Sequence, residues 1–145
     1  MKSIFEDYAI ENGSYDDAVT YVRVLIYVAN VDGTSKDELT GIKSLIKAHK
    51  WPNNCYDDAL KDPLSSIKEL NLSDETKKVF GPYLIRDSIA VALIEEGYSE
   101  DEKNLISKVA EELGINSNQL QKLESAVDSQ ISATRIWSEV IQHSL

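Results

Sequence analysis

Four acidic residues stand in a repeated setting, Asp32 and Glu38 within Val31-DGTSKDE and Glu96 and Glu102 within Glu95-EGYSEDE. Carboxylate oxygens suit hard divalent cations such as calcium, magnesium or manganese, so these four are the candidate metal ligands. The same residues have a plain structural use. Asp-Gly is turn chemistry, and Ser35-x-x-Glu38 and Ser99-x-x-Glu102 are capping boxes, in which the glutamate closes the first turn of a helix and meets its positive end. Capping is therefore the main role expected of Glu38 and Glu102. The spacing excludes an EF-hand: with Asp32 and Gly33 as loop positions five and six, positions one and twelve would be Val28 and Leu39. Glu95 and Glu96 are different. They follow an apolar segment, at a helix end that disfavours negative charge by about 0.3 to 1 kcal/mol each, and a cation would offset that cost.

Other side chains with chemical potential are few. Arg23, Arg86 and Asp87 fall inside segments that otherwise read as buried, and an unpaired buried charge is costly. The expectation is a buried ion pair between Arg23 and Asp87, or a polar cleft that these side chains share. Tyr98 follows the acids of the second turn and reads either as an exposed partner contact or as a ring packed over the turn. Trp51, Trp137, Tyr15, Tyr21, Tyr27, Tyr56 and Tyr83 are expected in the core or at its edge. His49 lies on an apolar stripe and His143 near the end of the sequence, each without a ligand at helical spacing. Cys55 follows Asn53-Asn54, and its neighbours Asp57 and Asp58 should raise its pKa rather than activate it. No nucleophile elbow, phosphate loop or histidine pair occurs in the sequence, so a non-enzymatic role is expected.

The elements that must hold these residues are helices. Leu39, Ile42, Leu45, Ile46 and His49 form one stripe, and Glu102, Leu105, Ile106, Val109, Ala110 and Leu113 nearly repeat it. Residues 18 to 31 and 83 to 94 are apolar on almost every side and should be central and buried. TYVRVLIYVANV is rich in β-branched residues, but its length and the helix start that follows argue against a strand. Between Pro52 and Gly81 two or three short connecting helices are expected, one of them from Ser73 to Phe80. One helix should run from Asn116 to Val127, and a last one should carry Ile131, Ile136, Trp137, Val140 and Ile141.

The two acidic turns align at a constant separation of 64 residues. Asp32 faces Glu96, Gly33 faces Gly97, Ser35 faces Ser99, Glu38 faces Glu102, Ile42 faces Ile106, and Arg23 falls opposite Asp87. An apolar helix ending in Ala29-Asn-Val-Asp-Gly-Thr-Ser-Lys-Asp-Glu38, followed by an amphipathic helix and present twice, resembles the tellurite-resistance TerB family and the helical domain of DjlA-type co-chaperones. The resemblance spans about residues 18 to 127. It implies an all-helical, non-catalytic stress or tellurite-resistance accessory protein, with a divalent cation held by Asp32 and Glu38 in the first copy and Glu96 and Glu102 in the second. The second copy departs from the pattern, with Glu-Glu-Gly in place of Ala-Asp-Gly.

Composition fits a single all-α domain over residues 1–145. Repeat 1 covers about 18–51, connecting helices about 52–81, repeat 2 about 82–115 and C-terminal helices about 116–145, in a bundle of seven to nine helices. With 25 acidic and 15 basic residues the net charge is -10, which repels nucleic acid and anionic lipid. The longest apolar run, Ile89 to Ile94, is too short to span a membrane. One cysteine excludes an intrachain disulfide, and the acidic start MKSIFEDYAI leads to the expectation of a cytoplasmic protein. The competing functional expectation is an adaptor that binds protein partners through an acidic face without metal.

Overall fold

Apolar residues at spacings of three and four produce helices throughout the part of the chain that the computed structural model describes, residues 14–33, 35–70, 72–94 and 98–144. Six α-helices follow one another there: α1 Tyr15–Ala29, α2 Lys36–Ala48, α3 Asn54–Lys61, α4 Asp74–Ala92, α5 Glu100–Glu112 and α6 Ser117–Ser144. Single 3-10 turns occur at Asn30–Asp32 and Ile67–Glu69, and no strand is found among the described residues.

The two segments expected to be central are so. α1 buries Tyr21, Val22, Val24, Leu25 and Val28, and α4 buries Leu84, Ile85 and Ile89. The two helices pack on each other, α3 closes over α1, and α5 and α6 close over α4. α2 contributes Ile42, Leu45 and Ile46, while α5 contributes Ile106 and Val109 from the matching stripe. These apolar faces form one continuous core, the main stabilising contribution in a chain without a disulfide.

The described residues hold six α-helices rather than seven to nine, because two expected breaks do not occur. Segments 73–80 and 83–94 fuse into α4 across Pro82. A proline inside a helix removes one amide donor and leaves the carbonyl four residues earlier without its partner. Pro82 and Lys78 are both on the exposed side of α4, where water can take that carbonyl. The second break, after Val127, is absent because Asp128-Ser-Gln-Ile-Ser-Ala-Thr contains neither proline nor glycine, so α6 runs unbroken to Ser144, 28 residues in all.

The surface helices α2 and α5 begin and end alike. Each has 13 residues and opens on a complete capping box. Each also closes with a residue in the left-handed region, Lys50 at φ 62° and Gly114 at φ 76°. The amide of the next residue, Trp51 or Ile115, then reaches back to the carbonyl of Ile46 at 3.1 Å or Ala110 at 2.8 Å. This six-to-one bond satisfies a carbonyl that the helix end would otherwise leave open. Gly33 takes φ 82° in the first turn, as an Asp-Gly turn requires.

The equivalent helix ends should respond differently to alanine. Gly114→Ala puts a Cβ on a left-handed residue and should lower stability by about 1 kcal/mol. Lys50→Ala leaves a Cβ where one already stands and should change stability by less than about 0.5 kcal/mol. Urea melts of the two variants check this, and equal losses would refute it.

Candidate functional site

Of the four candidate metal ligands, the two whose side chains are described both serve as caps. The Ser35 amide donates to Glu38 Oε1 at 3.1 Å while the Glu38 amide donates to Ser35 Oγ at 3.1 Å. Ser99 and Glu102 repeat the exchange at 3.2 and 3.1 Å. Both glutamates are buried. Asp32 closes the 3-10 turn before Gly33, but its side chain lies outside the described residues, and so does Glu96 with Glu95 and Gly97. Among the described residues no group of three or more His, Cys, Asp or Glu side chains is placed to hold a metal ion.

Tyr98 is partly buried. Its ring is half-buried against the core and Lys103 Nζ lies 5.4 Å from its centroid. Burial, then the charges of Glu124 and Glu102, push its hydroxyl well above the ordinary tyrosine range.

Arg23 and Asp87 do not pair with each other. Arg23 reaches outward to Asp62 at 2.9 Å. Asp87 is fully buried, and its partners come from three other residues. His49 Nε2 stands 2.9 Å from Oδ2, the Tyr21 hydroxyl donates to the same oxygen at 2.5 Å, and Arg86 Nε donates to Oδ1 at 3.0 Å. An ionised carboxylate only accepts, so His49 meets it with Nε2–H. The cluster thereby ties α1 to α4 and to the C-cap of α2, where His49 sits. Aromatic rings enclose it: Trp51 lies tilted over His49 at 4.6 Å, and Tyr21 meets Trp51 and Phe80 edge-on. Burial, then the charge of Asp87 and its hydrogen bond, hold the Tyr21 hydroxyl far above its ordinary value. An Asp-His pair can act as a base only where it reaches a substrate proton. Both side chains are 0% exposed, so this pair serves the fold.

Sequence spacing alone did not single out His49 and Tyr21 as the partners of Asp87. The usable signal was that His49 is the one titratable member of the α2 stripe.

The thiol of Cys55 is fully buried in α3. Burial first, then the charge of Asp58, push its pKa up to about 11, in the direction the neighbouring acids suggested.

The feature that packing leaves unexplained is the end of α6. Ile136, Trp137, Val140 and Ile141 are 60%, 67%, 53% and 52% exposed. Trp137 was expected in the core or at its edge and is instead the most exposed of the four; Tyr15, also expected there, is exposed as well and donates to Asp58. At 100° per residue, Leu120, Leu123, Val127 and Ile131 share the side of α6 that packs on the body. Ile136, Trp137 and Val140 centre about 140° around the axis from that side, Ile141 falls back on it, and every residue from 132 to 142 is exposed, so the helix end stands clear of the body. Beside the root of this tip lies a hollow of about 370 Å³ between α2, α4 and α6, with Gly41, Leu45, Ala48, Val91, Ile94 and Ile131 in its wall.

Compared with known families and proteins, the chain matches no family model, no curated protein and no solved structure. The class defined by fold and site is thus an all-helical domain with an internal polar cluster and an apolar helix end outside the core.

Two outcomes follow from the buried cluster. Asp87→Ala should cost about 3 to 5 kcal/mol by leaving Arg86 and His49 facing a void, and a loss below about 1 kcal/mol in urea melts would refute the role assigned to it. The second concerns alkali. Because folding raises the Tyr21 pKa, the folded chain keeps a proton that the unfolded chain releases. Its contribution is complete below the ordinary value of 10.0 and is lost as the pH rises above it. Stability should decline above about pH 10, and less steeply in Tyr21→Phe when denaturation is followed by circular dichroism.

Proposed function

We propose that this chain is a non-enzymatic accessory protein, TerB-like in its paired hairpins, that acts by holding a protein partner against the end of α6. The observation that carries this reading is that Ile136, Trp137, Val140 and Ile141 are exposed together at the end of a helix that packs on the body only further back, through Leu120, Leu123, Val127 and Ile131. Large exposed apolar groups close together are costly in water and mark contact sites. Support for the TerB-like part comes from the agreement of α2 and α5 in length, capping box and C-terminal turn at a separation of 64 residues. A stress or tellurite-resistance setting follows from that resemblance alone. The contact surface is then the helix tip and not the acidic turn with Tyr98.

A second reading is weak divalent-cation binding at the turns through Asp32 and Glu96, beside the capping glutamates Glu38 and Glu102. It is favoured by Glu95-Glu96 following directly on the negative end of α4.

A photoreactive residue at position 140, irradiated in cells that express the chain, tests the first reading. A covalent adduct with a protein is expected, lost in Trp137→Asp and missing when the probe stands at position 142 on the polar side of the tip. No adduct above the level at position 142 would overturn it. Calorimetric titration of metal-stripped protein with calcium, magnesium and manganese tests the second reading. Saturable binding that vanishes when Asp32 becomes Asn and Glu96 becomes Gln supports it, and its absence ends it.

A further inference from the structure

We infer that the trough where α6 crosses α4 binds a single-chain fatty carboxylate, with its head at Arg86 and Arg135 and its tail along Ala90 and Ile131 toward Ile94. The site is separate from the helix tip and does not depend on that reading. Two hollows meet there. One, of about 380 Å³, has Arg86 on α4 and Gln130, Thr134 and Arg135 on α6 in its wall. The other, of about 370 Å³, is the one between α2, α4 and α6. Ala90 and Ile131 border both. Each is within the range of about 300 to 1,000 Å³ usual for small-molecule sites.

The head end is cationic, although the chain as a whole carries a net charge of -10. The Arg86 side chain is 21% exposed. Among the described residues only one of its three nitrogens has a partner: Nε donates to Asp87 at 3.0 Å, while Nη2 is buried without a hydrogen bond. The Tyr83 ring, 4.8 Å from Cζ at its centroid, steadies the guanidinium from one side. Arg135 enters the same wall from the exposed part of α6 and pairs with no carboxylate among the described residues. No acid from those residues stands in the wall of either hollow. Acids elsewhere on the surface are screened beyond about 8 Å at physiological salt. Of the two guanidinium charges one answers Asp87, so one negative charge completes the balance. That suits a carboxylate better than a doubly charged phosphate, and arginine meets carboxylate oxygens with two parallel N–H bonds.

The tail end is apolar. Apart from the exposed Ser44, the second hollow is walled by apolar side chains and Gly41. Ile94 leans over Gly41 at its far end, where no Cβ would fit. A peptide laid along this wall would bring a donor and an acceptor per residue with nothing to answer them, whereas an alkyl chain brings none. From Arg86 to Ile94 the backbone rises about 12 Å, the length of an extended chain of about ten carbons.

Calorimetric titration of the full chain with decanoate, octanoate and hexanoate is the first part of the test. Saturable one-to-one binding is expected, weakening about two- to fourfold for each methylene removed. No saturable heat with decanoate, or equal affinities along the series, would overturn the inference. Octanol, which has the tail without the charge, should bind about tenfold more weakly than octanoate; an equal affinity would overturn the assignment of the head.

The second part uses surface variants, whose folding an unchanged far-ultraviolet spectrum checks. Arg135→Gln should lower decanoate affinity about three- to tenfold, Arg135→Lys should lower it less, and Arg135→Glu should abolish binding. Binding indifferent to Arg135→Glu would overturn the site. Ser44→Trp should fill the second hollow and bring decanoate down to the affinity of hexanoate, leaving hexanoate unchanged. An unmoved decanoate affinity would overturn the path assigned to the tail. Trp137→Asp, which breaks the helix tip, should leave decanoate binding as it is. A loss there would place the ligand on the tip and overturn the trough, so the two readings fail separately.

Discussion

A carboxylate without water must be answered on both oxygens, and Asp87 is answered by an imidazole, a phenol and a guanidinium from α1, the end of α2 and α4 itself. This requirement constrains more of the architecture than any single apolar contact. It fixes the rotation of α1, since only one side of that helix carries Tyr21 toward α4. It also fixes where α2 ends, because His49 reaches Asp87 from the C-cap. Removing one partner of a buried charge is far more costly than never having buried it. The aromatic rings around the cluster keep water out, which strengthens each hydrogen bond and raises the penalty for any misplaced neighbour.

The acidic surface and the internal caps are two uses of the same residue type. Glu38 and Glu102 close helix starts and are held by backbone amides, so their charges answer the positive ends of α2 and α5. The remaining acids keep the chain strongly negative, which opposes association with other acidic surfaces.

Much of the fold was legible because helical periodicity is a local property. The central segments, the two amphipathic stripes and the capping boxes all follow from residues within a few positions of one another. The helix count was less legible, since Pro82 reads as a stop when its exposure is unknown, and only the packed structure places it on the wet side of α4. Asp87 was recognisable as a buried charge, but its partner was misjudged. Arg23 faces it in the aligned repeats, yet Arg23 turns outward to Asp62 while His49, 38 residues away in sequence, turns inward. Long-range pairing of this kind depends on how α1 and α4 are rotated against each other, and no spacing along one helix reports that. Trp137 was misplaced for a related reason: its spacing is helical and apolar, but it lies beyond Ile131, where α6 runs past the body and every residue from 132 to 142 is exposed.

The positions of the two tryptophans have an optical consequence. Trp51 lies in the interior, tilted against His49 and edge-on to Tyr21, whereas Trp137 stands in solvent at the end of α6. Their emission therefore comes from two unlike surroundings, one blue-shifted and one red-shifted. The chain carries its own pair of fluorophores, one reporting on the integrity of the interior and the other on occupancy of the surface, without any label added to either.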